Sequence, residues 1–161
     1  MVDPIKVMER YDGKVPVPVF DILAELGLGP EFKWLDDDVS GYIERKTDGR
    51  YHVVINALHP PTRQRFTAAH ELGHYIYHRS LLGAGVGDTR AYRAANSPLP
   101  NSAVLPVHER QANSFAANLL MPRAALSQLS AGDRTKVAAL AERFGVSQEA
   151  MRIRLGLPRG A

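Results

Sequence analysis

Two histidines four positions apart, with a glutamate after the first, constrain this chain more than any other feature. They stand in the run His70-Glu71-Leu72-Gly73-His74. In an α-helix, positions four apart lie one turn apart on the same face, so both imidazoles can reach a single metal ion. The spacing therefore predicts that this segment is helical and that His70 and His74 are metal ligands.

Glu71 occupies a different position on the same predicted helix. It is turned by about 100° from His70, as 3.6 residues per turn require, so it lies beside the metal and can reach a bound water without being a ligand. Zinc lowers the pKa of such a water to about 7, and a carboxylate can take its proton as it attacks a carbonyl. The pattern predicts Glu71 as a general base.

A third protein ligand is needed, because catalytic zinc normally has three and an open position. The chain has no cysteine, so His, Asp or Glu must supply it. Glu109 is favoured, since it opens a second predicted helix at the edge of its apolar face, where a carboxylate needs a partner. Asn113, one turn later, can hydrogen-bond a ligand imidazole or the Glu109 carboxylate. His78 continues the stripe of His70 and His74 and is the alternative ligand, although a histidine at a helix end is more often a dipole partner or a packed core residue.

Helical periodicity places these residues on two helices. Pro60 and Pro61 can start the first, which runs to about Arg79, and the second runs from about residue 108 to Leu120 before Met121-Pro122 interrupts it. A glycine inside a helix costs about 1 kcal/mol relative to alanine. Gly73 would be tolerated because it lets another backbone pass close to the ligand helix.

Three segments before the first ligand helix are candidate strands. They cover residues 32–35, 40–46 and 51–57, and Asp48-Gly49 between the last two is a two-residue hairpin signal. We expect an α+β domain, in which a small antiparallel sheet packs on the zinc-ligand helix and the C-terminal half is mainly helical.

The remaining segments complete a single predicted domain over residues 1–161. Residues 1–14 can remain flexible, and a short amphipathic helix follows Pro18 and stops at Gly27. Residues 134–157 are expected to form a helical hairpin, with a turn at Gly145 and an N-cap at Ser147.

The C-terminal hairpin has two interpretations. Helix, glycine turn and helix also describe a DNA-reading helix-turn-helix, with Arg152 and Arg154 available for phosphates. We favour a hairpin that closes the core, because two arginines two positions apart do not share a helix face.

Residues 83–107 join the two ligand helices and are rich in Gly, Pro, Asn and Ala. Long loops are uncommon in compact domains unless they serve a site, so we expect this loop to border the active-site cleft and to be mobile without substrate. Tyr92 is a candidate for oxyanion stabilisation or substrate contact, although an aromatic residue in an extended segment is more often packing.

Composition excludes several classes of protein. The chain is 45% hydrophobic and 23% charged, with no apolar stretch near the ~20 residues that a membrane span needs. The first residues contain no apolar segment typical of a secretory signal, so we expect a cytoplasmic protein. A net charge of +3 is too small to argue for nucleic-acid binding.

Two long runs resemble the ImmA/IrrE family of zinc metallopeptidases: Pro61 to His74, and Glu109 to Pro122. Residues 16–20, 38–42 and 140–155 are also similar, so the resemblance covers most of the chain. It implies a zincin-like fold and one zinc ion per chain, held as in gluzincins by His70, His74 and Glu109.

The resemblance also implies a substrate. Family members cleave repressors of the helix-turn-helix type and so relieve repression of mobile-element or stress-response genes. Some relatives carry an additional DNA-binding or sensory domain, for which a chain of 161 residues has no room. The competing hypothesis is a non-catalytic regulator that binds DNA or a partner protein through its C-terminal helices. The presence of Glu71 favours the enzyme, since such a regulator has no reason to retain a general base.

Overall fold

The computed structural model describes residues 2–82 and 104–158, which form three strands and seven α-helices. No helix in these two ranges is both long and apolar enough to cross a membrane. The predicted α+β fold is confirmed. The strands are β1 (Glu31–Lys33), β2 (Gly41–Arg45) and β3 (Tyr51–Asn56). The helices are α1 (Pro4–Glu9), α2 (Val19–Glu25), α3 (Pro61–Tyr77), α4 (Pro106–Leu120), α5 (Arg123–Ser127), α6 (Val137–Phe144) and α7 (Gln148–Leu155), with 3-10 turns at Arg79–Leu81 and Asp133–Thr135.

The sheet is mixed, with the strand order β1-β3-β2. β2 and β3 pair antiparallel as predicted, from Gly41 opposite Ile55 to Arg45 opposite Tyr51. β1 instead pairs parallel to β3, so the prediction of a wholly antiparallel sheet was wrong. The chain reverses direction twice between β1 and β3, which leaves those two strands pointing the same way. Because β3 lies between β1 and β2, β1 and β3 become parallel neighbours.

The hairpin between β2 and β3 has a three-residue loop, not the two-residue loop predicted from Asp48-Gly49. The Lys46 amide donates to the Arg50 carbonyl at 2.7 Å, which leaves residues 47–49 in the loop. Gly49 has φ of +84° and donates to the Lys46 carbonyl at 2.9 Å. A β-turn whose fourth residue is a left-handed glycine is the usual form of a three-residue hairpin loop.

Helix α3 lies at the centre of the molecule. It starts at Pro61, where the first turn tolerates proline, and packs against α2, β2, β3 and α4. All nine residues from Thr67 to Tyr75 are buried. These contacts place His70, Glu71 and His74 in the interior.

Gly73 lies where α4 packs tightly against α3. A Cβ atom at this position would lie 3.0 Å from the Phe115 Cδ1 and 3.3 Å from the Ala112 Cα. The structure confirms that the glycine lets a second backbone approach the helix that carries both histidines.

The N-terminal segment contains a helix where the sequence allowed flexibility. Asp3 caps α1 by accepting a hydrogen bond from the Ile5 amide at 2.9 Å, and Val7 is fully buried. Arg10 and the Tyr11 hydroxyl both donate to the Glu25 carboxylate, each at 2.7 Å. These contacts join α1 to α2.

The C-terminal helices form the predicted hairpin. Gly145 has φ of +67° at the end of α6, and the Ser147 hydroxyl caps α7 by accepting from the Ala150 amide at 3.0 Å. Phe144 and Met151 are fully buried. The hairpin therefore contributes side chains to the same core as α3.

Replacing Gly41 with alanine is expected to destabilise the fold. The new Cβ would collide with the Val54 carbonyl oxygen and lie 2.8 Å from the Thr67 Cγ2, so β2 would have to move away from β3 and α3. Overpacking of this kind costs about 1–3 kcal/mol in free energy of unfolding, measurable by urea denaturation.

The matched control for that substitution is Gly132→Ala. Its new Cβ would meet only the Ser130 Oγ at 3.9 Å, an ordinary contact. We expect a change within about 0.5 kcal/mol. Equal stability of the two variants would show that β2 does not pack against α3 as closely as described.

Candidate metal centre

Three side chains from α3 and α4 converge on one point. The Nε2 atoms of His70 and His74 lie 2.9 Å and 2.7 Å from the two carboxylate oxygens of Glu109. One potential ligand atom from each residue lies within 4.8 Å of the others. The structure thus brings together the three ligands predicted from the sequence.

The outer nitrogen of His70 has its own partner. The Nδ1 of His70 lies 2.7 Å from the Oδ1 of Asn113, which is one turn beyond Glu109 on α4. An amide oxygen only accepts hydrogen bonds, so the Nδ1 must carry the proton and donate it. In the neutral imidazole, the lone pair is then on the Nε2, which faces Glu109.

This arrangement fits a divalent cation. A neutral imidazole nitrogen and a carboxylate oxygen are both acceptors, and they repel each other at hydrogen-bond distance unless a proton or a cation lies between them. A single metal ion would satisfy the inward nitrogens of both histidines and the carboxylate. Two imidazole nitrogens and one carboxylate are also a ligand set found in catalytic zinc sites.

The ligand side chains and Glu71 are largely buried, which makes a compensating positive charge more important. His70 is 2% exposed, His74 is fully buried, and the Glu109 side chain is 14% exposed. Glu71, beside His70 on α3, is also fully buried. Burying carboxylates is costly unless positive charge or hydrogen bonds compensate, and a cation held by the neighbouring ligands would supply that charge.

His78, the alternative ligand considered from the sequence, is not one of the three side chains that converge. It follows α3 as its C-cap residue and is 3% exposed. Its Nδ1 lies 3.0 Å from the Nδ1 of His74, and its Nε2 lies 2.7 Å from the Oε1 of Gln111. One ring nitrogen of His78 therefore contacts the outer nitrogen of His74, and the other contacts Gln111.

The surroundings favour the neutral form of His78. Burial is the main cause and lowers the pKa of this imidazole; the hydrogen bond to Gln111 raises it, the nearby His74 and His108 lower it, and Glu109 raises it. The i+4 spacing from His74 already placed His78 on the ligand face. Nothing in the sequence pointed to Gln111 as its partner.

Tyr92 and nearly all of the predicted loop lie outside the described residues. The expectations that residues 83–107 border the cleft and are mobile, and that Tyr92 contacts substrate, stay predictions.

Comparison with known proteins gives a family and a fold. The family model Peptidase_M78, described as an IrrE N-terminal-like domain, matches residues 32–156. Among solved structures, a Mycobacterium tuberculosis transcriptional regulator is similar, with a TM-score of 0.63 at 16% sequence identity. The similarity covers 98% of this chain and 46% of the regulator, so the chain spans less than half of that protein. No curated protein sequence matches this chain.

Proposed function

Because this chain belongs to the Peptidase_M78 family, we propose that it is a zinc-dependent endopeptidase. The observation that carries the proposal is the convergence of His70, His74 and Glu109, with the buried Glu71 next to His70 on α3. The family implies a metal-dependent peptidase. The histidine-rich ligand set favours zinc over magnesium or calcium, which prefer oxygen ligands.

Each residue of the site has a distinct role in this proposal. His70, His74 and Glu109 would hold one zinc ion per chain, and zinc, when bound, polarises a carbonyl and makes water acidic. Glu71 accepts a proton from the attacking water and returns it to the departing amine. Asn113 holds the His70 ring with its lone pair directed inward.

We also propose that residues 1–161 act as one metallopeptidase domain. Residues from α1, α2, α3, α6 and α7 belong to one buried cluster, which includes Val7, Ile22, Leu72, Phe144 and Met151. A core shared by both ends of the chain leaves no internal boundary among the described residues.

The substrate we propose is a transcriptional repressor of the helix-turn-helix type, cleaved to relieve repression of mobile-element or stress genes. The family resemblance supports it, and the structural neighbour is itself named a transcriptional regulator. The ligands are buried, so a peptide must become extended to reach them, and an exposed linker or a locally unfolding helix satisfies that need. Such a repressor would be met in the cytoplasm.

A cleavage assay tests this function. Zinc-loaded protein is mixed with the repressor encoded by the neighbouring gene, with and without a chelator, beside a panel of unrelated folded proteins. We expect one or a few cuts in the repressor only, lost with chelator and located by mass spectrometry. Cleavage of casein and the whole panel at similar rates would contradict a selective substrate while leaving the peptidase intact.

The competing function is a regulator that binds DNA or a partner through α6 and α7. The name of the similar solved structure, a transcriptional regulator, favours this competing function. One contact of Arg154 argues against DNA binding by α7. The Arg154 Nε donates to the Met121 carbonyl at 3.1 Å, which holds this arginine against the end of α4. Gel-shift binding of duplex DNA with a steep salt dependence, together with no cleavage by the zinc-loaded protein, would favour the regulator.

A further inference from the structure

A series of short polar contacts links His74 to side chains on both sides of its ring. The Nε2 of His74 faces Glu109 at 2.7 Å, and its Nδ1 faces the Nδ1 of His78 at 3.0 Å. The Nε2 of His78 faces the Oε1 of Gln111 at 2.7 Å. Glu109 and Gln111 both lie on α4. The rings of His74 and His78 therefore connect two side chains of the same helix.

The amide at the outer end determines where each proton lies. The Oε1 of Gln111 can only accept, so the Nε2 of His78 carries a proton and donates it. In a neutral imidazole the other nitrogen is an acceptor, so the Nδ1 of His78 accepts from the Nδ1 of His74. The lone pair of His74 is then on the Nε2, the atom that faces Glu109 and the proposed metal.

We propose that His78, oriented by Gln111, is a positioning residue that fixes the tautomer and ring orientation of the metal ligand His74. This inference rests on the proposed zinc site. It assigns His78 a role that differs from that of a ligand and from that of a packed core residue.

The two proposed ligand histidines have different hydrogen-bond acceptors at their outer nitrogens. His70 donates from its Nδ1 to the Asn113 amide oxygen, whereas His74 uses a second imidazole for the same purpose. His74 is fully buried and His78 is 3% exposed, so water has little access to replace the bond between them. Partners of this kind raise metal affinity by about 10–100-fold.

The test replaces the acceptor while the proposed ligands stay in place. His78→Leu removes the acceptor, and His78→Gln restores one through its amide oxygen. Zinc affinity is measured by competition with a chromophoric chelator, and the metal-free proteins are compared by circular dichroism and thermal unfolding. We expect His78→Leu to raise the zinc dissociation constant by about 10–100-fold. His78→Gln should recover most of that loss.

Gln111→Leu keeps the inference testable if His78→Leu does not fold. Gln111 is exposed, so its substitution should leave the fold intact while removing the group that orients His78. We expect this variant to bind zinc more weakly as well. The control is Gln148→Leu, at another exposed helical glutamine, which should bind zinc as the unchanged protein does. Asn113→Leu provides a comparison, because it removes the equivalent acceptor from His70.

The outcomes separate this inference from the metal site. If the unchanged protein binds zinc tightly and folded His78→Leu and Gln111→Leu bind it equally well, His78 does not position His74. If His78→Gln loses as much affinity as His78→Leu, the accepting atom is not the cause and the inference is also overturned. If the unchanged protein does not bind zinc, the proposed function fails, and the inference about His78 fails with the proposed function.

Discussion

Replacing Glu71 with glutamine is expected to leave the zinc content unchanged and to lower the rate of peptide cleavage by about 10²–10⁴-fold. Glutamine has nearly the same shape as glutamate but cannot accept the proton of the attacking water. The proposed ligands His70, His74 and Glu109 stay in place, so the ion remains while proton transfer is lost. The rates are measured under single-turnover conditions, beside the metal content from elemental analysis.

Glu142→Gln is the matched control for that variant. Glu142 is exposed on α6, so the same chemical change there should alter neither the zinc content nor the rate. Neutralising a buried carboxylate can itself change stability, so both variants are compared by thermal unfolding. Cleavage by Glu71→Gln at the rate of the unchanged protein would remove Glu71 from the mechanism.

Replacing any one of His70, His74 and Glu109 with alanine is expected to reduce bound zinc from about one ion per chain to a small fraction of that. Each substitution leaves two protein ligands where a catalytic zinc site normally has three. The metal is measured by elemental analysis after dialysis. Metal that binds only the folded state stabilises it, so these variants should also lose the increase in melting temperature that zinc gives the unchanged protein.

Glu142→Ala serves as the control for the ligand variants and should retain zinc. Full zinc retention by Glu109→Ala would place the third ligand elsewhere. His78 would then have to leave both its contact with His74 and its hydrogen bond to Gln111 before it could coordinate the ion. A lost metal with unchanged folding in all three alanine variants would support the cluster as proposed.

The centre of the site could be predicted because its spacing is set within single helices. His70, Glu71 and His74 are related by the pitch of one helix, and Glu109 and Asn113 by the pitch of another. Helical geometry fixes these relations before any tertiary contact forms. The glycine turn and serine cap of the C-terminal hairpin were likewise visible, because backbone conformation and capping are local properties.

Relations between segments were decided only by the tertiary structure. The hairpin signal fixed the pairing of β2 with β3, but the parallel pairing of β1 follows from which edge of β3 was free to accept it. Val7 is buried because α1 meets α2, which a short N-terminal segment does not reveal by itself.

The proposed metal ligands could be predicted from the sequence, whereas the hydrogen-bond partners of their outer nitrogens depended on the tertiary structure. The sequence by itself determined which side chains could bind a metal, since ligand chemistry and helical spacing are both written in it. Only the packing of α3 against α4 decided that Asn113 faces His70, and that Gln111, 33 positions along the chain, faces His78. The physical reason is that one helix fixes the direction of its own side chains, whereas the partner that each one meets depends on where a second helix packs.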